Sequence, residues 1–312
     1  RQFAWLIYFY VSHQRLNVGH LISNLSAIQM NMNKKSLLEN KEIFYQWLVG
    51  FTDGDGTFSI NRQSNNKWSL TFKLSQSTYN LRLLYFIKSQ LGVGQLNIEK
   101  NNMANFRIRD RLLLKSIIFP IFDKYPLLTT KYFNYIKFKE AYSVLSDNSL
   151  SSTEKNTIMT KIVNSKPSVN YISPAWLLVN NNVTNFESAS KVMSKPWLIG
   201  FTEAEGSFYL VAKSTNRLVH AFEITQKLDK IVLVAIKYIL GISTNVKIFK
   251  TGSFSIVTTN SRAIENIIKY FNHTMKGMKS LEYRIWSRSY TKYKGNFIAL
   301  NNIRNRVRVI KK

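Results

Sequence analysis

Asp55 and Glu205 stand next to last in a ten-residue stretch that the chain writes twice, Trp47–Gly56 (WLVGFTDGDG) and Trp197–Gly206 (WLIGFTEAEG). Each copy reads as a short apolar helix ending acid–small–acid–Gly. The macrodipole is negative at a helix C-terminus, so a carboxylate there is disfavoured by roughly 0.3–1 kcal/mol. Two such carboxylates brought together repel further. A hard divalent cation resolves both problems, and an all-oxygen ligand set suits Mg²⁺. A cation held between carboxylates and phosphate oxygens is also the arrangement for metal-assisted phosphodiester hydrolysis. Asp53 and Glu203, two residues earlier, point to other sides of the helix and read as structural.

Two further pairs recur in step with the acids. Gln76 ends the apolar face of a strand in phase with Phe72 and Leu74, and Gln226 does the same after Phe222 and Ile224. An amide finishing a buried face points toward the helix ends and is placed to hold a water near a metal. Lys131 and Lys279 begin the last helix of each half. A lysine alone means little in a chain this basic.

The elements that must position these residues follow from periodicity. Gly50 and Gly54, like Gly200 and Ala204, are spaced to share one helical face. Glycine inside a helix costs roughly 1 kcal/mol relative to alanine, and small residues on one face let two backbones approach closely. The two motif helices are therefore expected to pack side by side about a pseudo-twofold axis. Gly56 is expected to end its helix in a left-handed conformation. After the first motif, period-two alternation marks strands at Thr57–Arg62 and Lys67–Gln76, joined by a turn at Ser64–Asn66. Helical spacing returns over Leu81–Leu91, closed by Gly92. Strands follow at Gln95–Lys100 and Asn105–Arg109, then helices over Leu112–Lys124 and about Thr130–Leu145. After the second motif the pattern restarts: strands at Ser207–Lys213 and Arg217–Gln226, a helix Ile231–Leu240 closed by Gly241, strands at Asn245–Lys250 and Ser253–Thr258, and helices Arg262–Phe271 and Lys279–Tyr290. The repeat is too long for a solenoid unit and reads as a duplicated domain. The expected division is 1–42 extension, 43–145 first domain, 146–194 linker, 195–291 second domain and 292–312 basic tail.

The bulk composition narrows the partner. Forty-four Lys and Arg against 17 Asp and Glu give a net charge of +27 over 312 residues. An excess of that size favours a polyanion, since each phosphate contact releases condensed counterions. A hydrophobic share of 45% is globular rather than disordered. The absence of cysteine excludes disulfide scaffolds, thiolate zinc sites and cysteine nucleophiles. The four histidines, His13, His20, His220 and His273, show no paired metal-ligand spacing. Phe3–Val11 is too short to span a membrane and lacks a signal-peptide cleavage site; it is expected to pack on the body or to be a remnant of an upstream fusion. No membrane insertion is expected. The first residue, Arg1, reads as a trimmed start or a cut from a longer product. Residues 17–40, rich in Ser, Asn and Lys, read as a connector, and Asn302–Lys312 as a solvated terminus.

Leu48–Gly56 (LVGFTDGDG) and Leu198–Gly206 (LIGFTEAEG) resemble the signature of the LAGLIDADG homing endonucleases and intron maturases, in the double-motif single-chain form. The resemblance covers residues 43–291 and is nearest in character to enzymes encoded by group I introns of fungal mitochondria. The Asn, Lys, Ile, Tyr and Phe bias is what an AT-rich genome writes. It implies an α+β fold of two pseudo-symmetric αββαββα halves. Their antiparallel sheets form a saddle along a DNA major groove, with the motif helices packed at its centre. It implies a monomeric, mitochondrial, site-specific double-strand DNA endonuclease. Such an enzyme mediates intron homing with Mg²⁺ or Mn²⁺ and cuts across the minor groove to leave 3′ extensions. Asp55 and Glu205 are then the metal ligands, Gln76 and Gln226 order water, and Lys131 and Lys279 complete the catalytic set. The DNA-facing positions are Ser59, Asn61, Lys67, Ser69, Thr71, Lys73, Gln95, Asn97, Arg107 and Arg109 in the first half. In the second half they are Tyr209, Lys213, Arg217, Lys247 and Ser255. The alternative function within the family, not exclusive of the first, is a non-catalytic maturase that binds and stabilises its group I intron RNA during splicing. Glu in the second motif where the first has Asp, and Ala204 in place of Gly54, imply halves that cut at unequal rates.

Overall fold

The computed structural model describes residues 18–64 and 67–310. The apolar run Phe3–Val11 and most of the turn Ser64–Asn66 lie outside the described residues. The chain divides into two compact units between Phe44 and Tyr45, and both halves of the repeat belong to the second.

The first motif ends a helix much longer than its signature, α1 (Val18–Asp55). The expected connector is thus helical over its described residues, 18–40. Between His20 and Val49 there is neither Gly nor Pro, and Ser and Asn lower helix propensity by only a few tenths of a kcal/mol each. A hairpin follows, β1 (Gly56–Arg62) and β2 (Trp68–Ser77), then α2 (Leu81–Leu91), β3 (Gln95–Ile98) and β4 (Met103–Ile108). The four strands form one antiparallel sheet in the order β1-β2-β4-β3. Next come α3 (Arg111–Leu113), a π-helical turn Leu114–Ile118, α4 (Phe119–Lys124) and α5 (Lys131–Ser146).

The second half repeats the plan. Its elements are α8 (Lys195–Glu205), β5 (Gly206–Ser214), β6 (Arg217–Gln226), α9 (Lys230–Leu240), β7 (Lys247–Ile248), β8 (Phe254–Thr258), α10 (Ser261–Phe271) and α11 (Lys279–Tyr293). Its sheet has the order β5-β6-β8-β7. This is the expected α+β architecture, helix–hairpin–helix–hairpin–helix twice over. In both sheets alternation sends Phe58, Leu70, Phe72, Leu74, Phe106, and Phe208, Phe222, Ile224, Ile256 to the helix-covered face, where all are buried. Gly92 and Gly241 end α2 and α9 in the left-handed conformation, φ 70° and 66°.

Three further expectations change. Gly206 has φ −76° and ψ 147°, extended rather than left-handed, and Gly56 has no positive φ either. These glycines are required by space. A Cβ on Gly56 would lie 2.3 Å from the Thr52 methyl, and one on Gly206 2.4 Å from that of Thr202. The strand turns back against the last helical turn there.

Residues 146–194 are not an unstructured linker. They form α6 (Ser152–Asn164) with a Ser151/Glu154 capping box, a 3₁₀ segment Pro174–Val179 and α7 (Phe186–Val192). Trp176, fully buried, donates to the Leu128 carbonyl at 2.8 Å and anchors the segment. The basic tail is helical too. In α12 (Phe297–Ile310), Leu300 packs with Leu210 and Leu218, flanked by Phe297 and Ile303. The apolar stripe is thin, and the arginines that follow it, Arg304, Arg306 and Arg308, hide it in the sequence. No helix among the described residues is long and apolar enough to cross a membrane.

Candidate active site

The motif helices α1 and α8 pack with almost no side chain between them. A Cβ on Gly50 would stand 2.0 Å from the Trp197 carbonyl oxygen, and one on Gly200 2.0 Å from that of Trp47. The reciprocity is that of a pseudo-twofold axis. One turn on, a Cβ on Gly54 would lie 2.3 Å from Ala204 Cβ and 3.5 Å from Glu205 Oε1. Close approach therefore carries the Glu205 carboxylate to the end of the opposite helix, beside Asp55.

Asp55 and Glu205 are both half-buried. Burial pushes the Asp55 carboxyl up from its ordinary value, against Gln76, Lys131 and Lys279, which hold it down. Burial and the charge of Asp55 both push Glu205 up, opposed by a hydrogen bond from Gln226 and by the two lysines. Gln76 Nε2 donates to Asp55 Oδ2 at 2.5 Å. Each predicted glutamine thus meets its predicted acid. Lys131 Nζ donates to the carbonyl oxygens of Thr52 (3.1 Å) and Gly54, and Lys279 Nζ to that of Gly206 (2.6 Å). A cation at a helix C-terminus is favoured, so each lysine offsets the helix-end charge beside the acid. All six residues expected in the catalytic set converge at the ends of the paired helices.

The first acid of each motif does other work. Asp53, buried, accepts from Leu128 N (2.8 Å), Thr129 N (3.1 Å), Thr129 Oγ1 (2.5 Å) and Trp197 Nε1 (2.9 Å). Glu203 accepts from Lys276 N (2.9 Å) and Gly277 N (3.0 Å). Both carboxylates gather the backbone turn that leads into the lysine-bearing helix of their own half. Burial raises the Asp53 carboxyl to about 6, despite its four donors. Between pH 3.8 and about 6 the folded protein holds a proton there that the unfolded chain has released, so stability from this group rises as pH falls through that window. Asn at 53 turns an amide toward these donors. Asp53→Asn is expected to lower unfolding free energy by roughly 2–4 kcal/mol. Denaturant midpoints measured against pH should show wild type gaining on the variant as pH falls from 6 to 4.

The polar faces of the two sheets differ. In the first, register aligns Ser59 with Thr71, Asn61 with Ser69, and Lys73 with Arg107 and Gln95. Asn97 lies on the same face beside Arg107, and the amide orientation that satisfies both groups turns its oxygen toward the guanidinium. Lys67 and Arg109 fall just outside β2 and β4 and are exposed. Thr71, on the predicted face, is only 5% exposed, so it is not freely presented as expected. In the second sheet Lys213, Arg217 and Lys247 are exposed, while Ser255 is fully buried. There Glu223 accepts from Tyr209 Oη (2.9 Å) and from Ser255 Oγ (3.0 Å). The expectation of a freely presented Ser255 is corrected: its hydroxyl is committed to Glu223. That acid lies outside the sequence-predicted set, because a polyanion partner points to cations and neutral polar groups, although its phase in β6 places it on this face. Thr57, Ser75 and Asn105 share the face of the first sheet by register and were also passed over.

The model of the LAGLIDADG endonuclease family matches residues 48–142 and 198–290, one match in each half. A protein of Schizosaccharomyces pombe named probable intron-encoded endonuclease Cox1-I1b is 45% identical, over 87% of this chain and 70% of that protein. The uncharacterized mitochondrial protein RF1 of Saccharomyces cerevisiae is 30% identical over 70% of this chain, and probable intron-encoded endonuclease 4 of Neurospora crassa 24% identical over 87%. The chain spans less than half of each of these two, 44%. Among solved structures, the meganuclease I-SmaMI bound to uncleaveable DNA superposes with a TM-score of 0.67 at 23% identity, covering 86% of this chain and 97% of that one. I-AabMI bound to uncleaved DNA gives 0.65 at 22% identity, covering 84% and 98%. At these identities the likeness is one of fold.

Proposed function

This chain belongs to the LAGLIDADG endonuclease family, and on that premise we propose that it is a homing endonuclease. It would cleave both strands of a long asymmetric duplex at an intron insertion site by metal-assisted hydrolysis. The observation that carries this reading is the convergence of Asp55 and Glu205 at the ends of two helices packed backbone to backbone. Each acid is met by a glutamine, and a lysine stands at each helix end.

The site fits a divalent cation of the Mg²⁺ or Mn²⁺ kind. Two half-buried carboxylates, one raised in part by the charge of the other, are an all-oxygen set that Lys131 and Lys279 only partly offset. No cluster of three or more acids and histidines occurs among the described residues, so water and phosphate oxygens would complete the coordination. Bound there, the cation would polarise the scissile phosphate and lower the pKa of a water. Asp55 and Glu205 would hold it. Gln76 and Gln226, anchored on the acids, would orient the attacking water from either side. Lys131 and Lys279, held at the helix-end carbonyls, would bring positive charge to the phosphate as it gains negative charge.

The polar faces of the two sheets would lie on the DNA, with Lys and Arg on phosphates and shorter side chains on base edges. I-SmaMI and I-AabMI are DNA-bound in their structures, which supports that orientation. Because both halves sit in one chain, the working unit is a monomer. The mitochondrial and intron-encoded relatives support a mitochondrial site of action. The maturase alternative is not favoured, since a purely RNA-binding protein has no use for two acid–glutamine pairs facing one another.

The test is cleavage with Mg²⁺ of a duplex spanning the intronless exon junction, beside the intron-containing duplex. Only the first is expected to be cut, and a wild-type protein that cuts neither at any metal concentration sinks the proposal. Specificity gives a second expected result. Glu223 is an acceptor held in place by two hydroxyls, suited to a cytosine N4 amine. Glu223→Gln is expected to lose about 1–3 kcal/mol of discrimination at one base pair with little loss of overall affinity. Binding to a panel of single-substitution duplexes reads it out.

A further inference from the structure

Asn80 and Asp229 occupy equivalent places, each the residue just before the helix that follows a hairpin, α2 and α9. Asn and Asp at such a position ordinarily accept from the first turn of their own helix. Neither does so here. Asn80 Oδ1 instead accepts from Met278 N in the other half (2.9 Å), and Asp229 Oδ1 accepts from Thr130 N (2.9 Å) and Thr130 Oγ1 (2.8 Å), again in the other half. Met278 and Thr130 are the residues immediately before Lys279 and Lys131. The contact is fitted: Asn80 is 8% exposed, and a Cβ on Gly277 would stand 2.3 Å from its Oδ1.

Each lysine turn is therefore gripped twice. Its own half holds it through Asp53 or Glu203, and the opposite half through Asp229 or Asn80. We propose that Asn80 and Asp229 are reciprocal positioning residues, each reaching across the pseudo-twofold axis to fix the turn that aims the other half's lysine at the reaction site.

The two arms are unequal. Asn80 Nδ2 also donates to Gln76 Oε1 (2.6 Å), and Gln76 donates to Asp55. An unbroken hydrogen-bonded path thus joins the Lys279 turn to Asp55. An ionised Asp229 has no hydrogen to donate, so it cannot extend such a path to Gln226. The arrangement about Asp55 is the more firmly fixed, so the two strands are expected to be cut at different rates.

The inference rests on the endonuclease reading for its catalytic half only, and the test separates the two. In DNA-free, metal-free protein, amide hydrogen exchange at Met278 is expected to accelerate in Asn80→Ala and at Thr130 in Asp229→Ala. Asn80→Asp and Asp229→Asn keep the acceptor oxygen and are expected to retain wild-type protection. In the second arm, the two strands of the intronless-junction duplex carry different end labels, and nicking is followed under single turnover with Mg²⁺ and saturating protein. Asn80→Ala is expected to slow one strand about tenfold more than the other, and Asp229→Ala to move the strand ratio the opposite way. Asn80→Asp, which keeps the acceptor to Met278 N but lacks the donor to Gln76, should fall between wild type and Asn80→Ala, and Asp229→Asn, which keeps the acceptor to Thr130, should not reproduce the Asp229→Ala ratio. Unchanged exchange at both amides, or equal slowing of both strands in every variant, overturns the proposal. A wild-type protein that nicks neither strand would refute the endonuclease reading, while the exchange measurement still decides the cross-brace.

Discussion

Asp55→Asn is expected to reduce the single-turnover rate of DNA cleavage by on the order of 10³-fold, about 4 kcal/mol of transition-state stabilisation, and Glu205→Gln to do the same. Both variants keep the side-chain volume and an oxygen that can accept from Gln76 or Gln226. What they lose is the charge that would bind a cation. Affinity for the target duplex in the presence of EDTA is expected to stay within about threefold, because affinity comes from cationic and polar side chains on the sheets rather than from the two acids. Stability should not fall. Burial pushes both carboxyls up, and Glu205 is pushed further by Asp55, so removing one charge relieves the other. A thermal midpoint at or above wild type, with cleavage gone, is the expected pair of results. Cleavage surviving either substitution would show that the convergence of the acids is not the reaction centre.

Gly50→Ala and Gly200→Ala carry the second large effect. Each places a methyl 2.0 Å from a carbonyl oxygen of the facing helix, a distance that only backbone movement can relieve. An alanine in a helix interior ordinarily stabilises by roughly 1 kcal/mol over glycine, so propensity predicts the wrong sign. Overpacking at a backbone–backbone contact is expected to cost about 4 kcal/mol or more in each variant, read as the shift of the denaturant midpoint. Because separation of the helices also separates Asp55 from Glu205, residual cleavage should fall even at temperatures where the variant is folded. A substitution tolerated within about 1 kcal/mol would mean that the helices do not touch as described.

The site was legible in the sequence because it is written twice. Acid, glutamine, lysine and small-residue seam recur in step, and period-two alternation alone aims Gln76 and Gln226 at the helix ends. Strand and helix positions followed from the same alternation, down to the glycines closing α2 and α9. What escaped depends on contacts far apart in the chain. Trp176 orders residues 146–194 by reaching the Leu128 carbonyl, and no local pattern announces that. α12 owes its place to Leu210 and Leu218 on a distant hairpin. α1 extends back through Ser- and Asn-rich sequence because nothing in it breaks a helix, an argument that polarity obscured. Gly56 was assigned to the right boundary for the wrong reason, a backbone angle where crowding by Thr52 was the cause. Asn80 and Asp229 stand where an ordinary helix cap would stand, and only the facing half reveals their use.

The single methyl of Ala204 has a consequence for how the two halves can combine. The space opposite Gly54 admits one Cβ and no second, since a methyl there would meet Ala204 at 2.3 Å. Two copies of the first half would bring glycine to glycine and leave a small void. Two copies of the second would bring alanine to alanine and collide. The seam therefore carries a parity rule: the first half can partner itself or its sibling, and the second can partner only the first. Fused in one chain, the halves are committed to the mixed pairing, and with it to reading a target whose two arms differ.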